Sequence, residues 1–188
     1  ILGFQASFHP FYAKPSWQAI LDKPWEAKWA LLNDPEFKAK LISEQNVVLD
    51  PDLQMVVDLM TFAFNMLYEM REGFSYEPTH EESIAGLAEK AGMDPAEYAY
   101  EVLMRNEGNG FIYFPLLNWA DGNYNFLEEP LRSEDCVNSL SDGGAHCGTI
   151  CDAAASTFML EHWVKNRSRG RLSLEYAIQR QCRDTARL

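Results

Sequence analysis

Basic residues are scarce in this chain, with 16 Lys plus Arg against 28 Asp plus Glu and a formal charge of -12 over 188 residues. Such a surface repels a phosphate backbone, and no Lys/Arg run interleaves with aromatics, so nucleic-acid binding is not expected. Anionic membrane surfaces are disfavoured for the same reason. Long apolar runs are also lacking. The longest, around 56–64, is broken by Asp58 and Thr61 and falls short of the roughly 20 residues that cross a bilayer. Four cysteines (Cys136, Cys147, Cys151 and Cys182) are too few for a disulfide framework and read as reduced thiols of a soluble, cytoplasmic protein. Collagen, low-complexity coil and disulfide miniprotein are excluded, and the length suits one core of ordinary domain size.

The charge is uneven. From Glu161 onward there are seven Lys/Arg and three Asp/Glu, a local +4, which leaves -16 for the first 160 residues. A solvated basic helix face explains such an end more simply than an anion site.

Helix starts are legible along the chain. Asp34-Pro35, Asp50-Pro51 and Asp94-Pro95 each set a capping carboxylate before a proline at the first helical position, where a missing N–H does no harm. Thr79 with Glu82, and Asp94 with Glu97, have the spacing of a capping box. Leu53, Val56, Val57, Met60 and Phe64 keep a helical period, as do Ile84, Leu87, Ala88 and Ala91. Short runs at 1–8, 65–70, 111–117 and 136–140 read as strands, and further helices are expected over 157–167 and after Ser173. Strands alternating with helices predict an α/β layered fold with parallel strands. No repeat or linker is visible, which predicts a single unit over 1–188.

The most unusual segment runs from Ser139 to Asp152: SLSDGGAHCGTICD. An apolar run delivers Asp142, two glycines let the backbone turn, and His146 follows four residues later. Asp before Gly-Gly is also an ordinary turn in which the side chain bonds its own backbone. His146 alone suits a hydrogen-bonded loop histidine, and Asp152 suits a helix cap.

Taken with His162-Trp163 and the ending Arg183-Asp184-Thr185-Ala186-Arg187-Leu188, the 140–152 segment resembles the N-acyl-D-amino-acid deacylases (D-aminoacylase-like enzymes) of the amidohydrolase superfamily. The resemblance extends along nearly the whole chain, through Phe8-His9-Pro10-Phe11, Pro15-Ser16, Asp34-Pro35, Tyr76-Glu77-Pro78, Asp94-Pro95 and 118–122. It implies a metal-dependent (β/α)8 barrel hydrolase, with one or two divalent ions, usually zinc, that cleaves the amide of an N-acyl-D-amino acid. On that alignment, strand 7 of the barrel lies near 1–8, a helical insertion covers 16–107, strand 8 lies near 136–141 and terminal helices span 157–188.

Asp142 then matches the strand 8 aspartate, which serves as acid/base and metal-facing residue. His146 and Ser16 become candidate substrate contacts. The superfamily's His-x-His pair, bridging ligand and single histidines after strands 5 and 6 have no counterpart among His9, His80, His146 and His162. These residues therefore read as the C-terminal part of a longer enzyme, with Ile1 and Leu188 as cut ends, inactive alone and prone to self-association or to pairing with the missing barrel portion.

Three alternatives stand beside this one. Related amidohydrolases act on cyclic amides, ureas and dipeptides. A noncatalytic module could hold structural zinc on Cys136, His146, Cys147 and Cys151, although no Cys-x2-Cys pair is present. An acidic interaction domain could present the aromatic set Phe4, Phe8, Phe11, Tyr12, Trp17, Trp25 and Trp29 to a partner.

Overall fold

The computed structural model describes all residues except Ser7, Leu116, Ala120, Ser139, 145–151 and Leu188, together with the side chains of Asp52, Leu53 and Val56. The described chain falls into two compact units, residues 1–74 with 78–115, and residues 75–77 with 116–188. The backbone passes between them three times with no change in composition, which is why the sequence shows no linker.

The first unit carries helices α1 (Pro15–Gln18), α2 (Trp25–Leu32), α3 (Pro35–Ser43), α4 (Pro51–Phe62), α5 (Ile84–Ala91) and α6 (Pro95–Gly108). Local chemistry sets several of their starts. The Asp34 carboxylate accepts from the Glu36 N–H at 2.9 Å, and that of Asp94 from Ala96 and Glu97 at 2.8 and 3.3 Å, each ahead of a proline at the first position. Thr79 and Glu82 do bond, with the Thr79 N–H donating to Glu82 Oε2 at 2.8 Å, but the turn they close is a short 3-10 segment, His80–Glu82. Helix α5 is capped instead by Ser83, whose Oγ accepts from Gly86, and it ends at Gly92 with φ of 66°.

Strands β1 (Tyr68–Glu69) and β2 (Ile112–Tyr113) pair antiparallel, and Leu2 bridges the other side of Ile112. Parallel strands were expected, and this sheet departs from that expectation. The run at 1–8 contributes one bridge because the chain folds back at once, the Ala6 N–H bonding the Gly3 carbonyl at 3.0 Å.

Leu2, Phe4, Phe11, Trp17, Leu32, Leu41, Val57, Met60, Ile84, Tyr100, Leu103 and Ile112 form the core of this unit. Phe4, Phe11 and Trp17 are thus interior residues, which corrects the expectation that they present an aromatic surface. Phe4 stacks on Trp17 with ring centroids 5.4 Å apart, and His9 stands edge-on to Trp17 at 4.2 Å.

The second unit carries α7 (Glu128–Arg132), α8 (Ala155–Phe158) and α9 (Leu174–Ile178). Both α8 and α9 run on into π-helical turns, Met159–Asn166 and Gln179–Asp184. No strand ladder forms at 136–140 among the described residues. Arg180, buried, donates from Nη2 to the carbonyls of Ser133, at 2.7 Å, and Cys136, while Asn138 donates to the Leu131 carbonyl at 3.3 Å. Assignment of 1–8 and 136–141 to barrel strands therefore rests on the resemblance alone.

Candidate functional site

Asp142 stands at the exposed end of the 136–142 segment in the second unit. Its Oδ1 accepts the Gly144 N–H at 2.7 Å, and Gly144 has φ of 74°, a left-handed geometry that glycine takes without steric penalty. The local Asx turn read from the sequence is therefore present, and it holds the carboxylate facing solvent.

Beside it lies a concavity of about 630 Å³. Leu127, Leu131, Val137, Leu140, Phe158, Met159 and Trp163 give it apolar walls, and Asn118, Asn138, Ser141, Ser156 and Gln181 give it uncharged polar groups. Ser141 joins this lining directly to Asp142. None of its described lining residues is charged, and a concavity of this kind suits a small organic molecule whose apolar substituents are buried.

The other predicted site residues fall elsewhere. Ser16 belongs to the first unit, where it is buried and bound to Glu44 at the end of α3: its Oγ donates to Glu44 Oε1 at 2.7 Å and its N–H to Oε2 at 2.8 Å. Those bonds and the Lys40 charge hold the Glu44 carboxyl below its ordinary range, against a burial effect that would raise it. His146 lies outside the described residues, as do Cys147 and Cys151. Cys136 and Cys182 carry free thiols.

Zinc asks for three or four N, S or O donors converging within bonding distance. Among the described residues no group of three His, Cys, Asp or Glu side chains comes together, and no lining residue of the concavity is of those types. The described residues do not make a metal site. Asp142 is the one donor they offer at this place.

Sequence reasoning missed a second cluster in the same unit. Glu77 Oε2 lies 2.9 Å from His162 Nε2 and accepts from Arg167 Nε at 2.8 Å, while Oε1 accepts from the Tyr124 N–H at 2.9 Å and from Arg167 Nη2 at 3.3 Å. Arg167 Nη2 also donates to Asn125 Oδ1 at 2.6 Å, and the guanidinium rests over Trp163, 4.1 Å from the ring centre. Burial would raise the Glu77 carboxyl, yet the Arg167 bonds and charge and the Tyr124 N–H bring it below its usual range. Burial lowers His162 despite the adjoining carboxylate. With Glu77 ionised and His162 neutral, Nε2 carries the proton and donates it to Glu77.

The π-helical turn makes this meeting possible. Its i to i+5 bonding, seen in the Arg167 N–H to His162 carbonyl bond of 2.9 Å, sets residues five apart above one another, so His162 and Arg167 address the same carboxylate. The five-residue His162 to Arg167 spacing was the available signal, and it is meaningful only once a π turn is known. The cluster has a structural role: both side-chain partners of Glu77 are almost fully buried, and each is bonded to its carboxylate.

Comparison with protein-family models, with curated proteins and with solved structures finds no match to this chain. Functional inference therefore rests on the residues themselves. Among the described residues no helix is long and apolar enough to cross a membrane.

Proposed function

We propose that this chain is the acid/base-bearing part of a hydrolase that cleaves carbon–nitrogen bonds other than peptide bonds, acting on N-acyl amino acids. The observation that carries the reading is the exposed Asp142 carboxylate, bonded to the Gly144 N–H and next in sequence to Ser141, which lines a largely apolar concavity with no charged side chain among its described lining residues. Asp142 takes a proton from the attacking water as oxygen bonds to the acyl carbon, then delivers it to the amide nitrogen as the C–N bond breaks, releasing a carboxylic acid and an amine. The D-configuration of the amino acid, the (β/α)8 barrel and a cytoplasmic location come from the resemblance and from the cysteine usage. Zinc, which the resemblance implies, would polarise the acyl oxygen and acidify water, and its donors would have to come from outside the described residues. Polypeptide carrying that part of the barrel, in the same chain or a second one, is the partner this reading requires.

The test is release of free amine from N-acetyl-D-methionine, with its L-isomer, a hydantoin and a dipeptide for comparison, by the natural polypeptide that contains these residues, supplied with zinc. The expected result is turnover of the D-substrate that falls at least about 1,000-fold in Asp142→Asn, with the 188-residue chain alone inactive. Full activity in Asp142→Asn, or turnover of none of the four compounds, overturns the reading.

A further inference from the structure

Helix α4 is apolar on two opposite faces, and the first unit covers only one. Val57 and Met60 are 0 and 1% exposed and belong to the core. Met55, Leu59 and Phe62, at the i, i+4, i+7 spacing of the opposite face, are 68, 42 and 77% exposed. They line an open groove of about 720 Å³ together with Gln54, Asp58 and Asn65. Scattered apolar side chains are normal on a surface, but a contiguous helical stripe containing a phenylalanine and a methionine marks a place where something binds.

Charge says what that is. From Asp50 to Phe62 the sequence contains Asp50, Asp52 and Asp58 and no Lys or Arg, and Asp58 is the charged side chain among the described residues that line the groove. A second copy laid on the same face would set acid against acid, and an anionic lipid surface would meet the same repulsion. A cationic partner is drawn in. A helical partner matches the geometry, because apolar anchors at i, i+4 and i+7 mesh along a groove running beside a helix. Methionine at the rim lets the groove adapt to side chains of differing shape.

We propose that the exposed face of α4 is a docking site for an amphipathic helix that carries large apolar residues on one side and Lys or Arg along its flanks. The site is independent of Asp142 and of any hydrolytic activity.

The probe is a fluorescein-labelled 18-residue helical peptide of leucine and lysine with all leucines on one face, titrated with the 188-residue chain and followed by anisotropy. A peptide with glutamate in place of every lysine is the comparison. Saturable binding is expected, weakened at least tenfold by the double substitution Met55→Ser and Phe62→Ser, weakened with a shallower salt dependence by Asp58→Lys, and unchanged by Leu174→Ser on α9. The glutamate peptide is expected to bind at least tenfold more weakly. The substituted α4 side chains are exposed, so far-UV circular dichroism should show the fold intact. Equal binding of the lysine peptide by the double variant, or equal binding of the two peptides, overturns the proposal. So does light scattering that shows a dimer dispersed by the double substitution, which would make a second copy the occupant.

Discussion

The Glu77 carboxylate and the Arg167 guanidinium, 90 residues apart in sequence, meet side on, with Nε to Oε2 at 2.8 Å and Nη2 to Oε1 at 3.3 Å. Arg167 is buried and Glu77 nearly so. Removing the negative partner leaves a buried cation without its counter-ion, a loss of about 3 kcal/mol. Glu77→Gln is accordingly expected to lower the urea midpoint of the second unit, followed by near-UV circular dichroism of Trp163. An unchanged midpoint would mean that the pair contributes nothing net.

Acid sensitivity should be centred on His9. Burial among aromatic rings, with the Lys28 charge adding to it, pushes this imidazole down to about 3. The folded pKa is below the unfolded one, so the unfolded chain binds the proton first, and stability present above about pH 6.5 is lost as pH falls from there toward 3. His162 in the second unit is lowered too and acts in the same direction. His9→Phe forfeits the bond from the Phe11 N–H to Nδ1 but has no proton to take up. Its unfolding midpoint, read by tryptophan fluorescence at pH 7 and pH 4.5, should fall less with acid than that of the unaltered chain.

Gly110 permits no side chain. A Cβ there would fall on the carbonyl oxygen of Val102, a backbone atom of α6 that cannot step aside. Gly110→Ala should destabilise the first unit by at least about 3 kcal/mol, or prevent soluble expression at 37 °C. Gly73→Ala provides the comparison: nothing lies within 4 Å of its Cβ, and its left-handed φ of 77° predicts a penalty of only about 1 kcal/mol.

Ser16 donates two hydrogen bonds to one carboxylate, through its own Oγ and N–H. Ser16→Ala removes the first and should lower stability by about 1 to 2 kcal/mol. In the natural polypeptide, a raised KM for the N-acyl substrate in the same variant would support the substrate contact suggested by the family resemblance. A stability loss with KM unchanged would confine Ser16 to holding α1 against the end of α3.

What the sequence revealed was local. The Asp34 and Asp94 caps need only the next three residues, so they could be read directly. The Asp142 turn likewise needs nothing beyond Gly144. Where the reading departed from the structure, a distant group had intervened. The 136–140 run has strand composition, but Arg180, more than 40 residues away, bonds the carbonyl of Cys136 at its start. Thr79 and Glu82 pair as written, yet the following helix waits for Ser83. Phe4 and Phe11 suit surface or core by composition alone until α6 brings Tyr100 onto them. Along α4, Val57 and Met60 follow the expected buried period, while the opposite stripe escaped notice because it obeys the same helical period.

Residues 75–77 are the only part of the second unit contributed from within the first unit's span of sequence, and Glu77 fastens them there through Tyr124, His162 and Arg167. The two units therefore cannot be parted by one break in the backbone. A protease nick beside the exposed Leu117 would yield two peptides, the longer of which still threads its Glu77 into the shorter. They should migrate together under native conditions and separate only in denaturant, much as a severed cord stays fast when a stitch passes through both pieces.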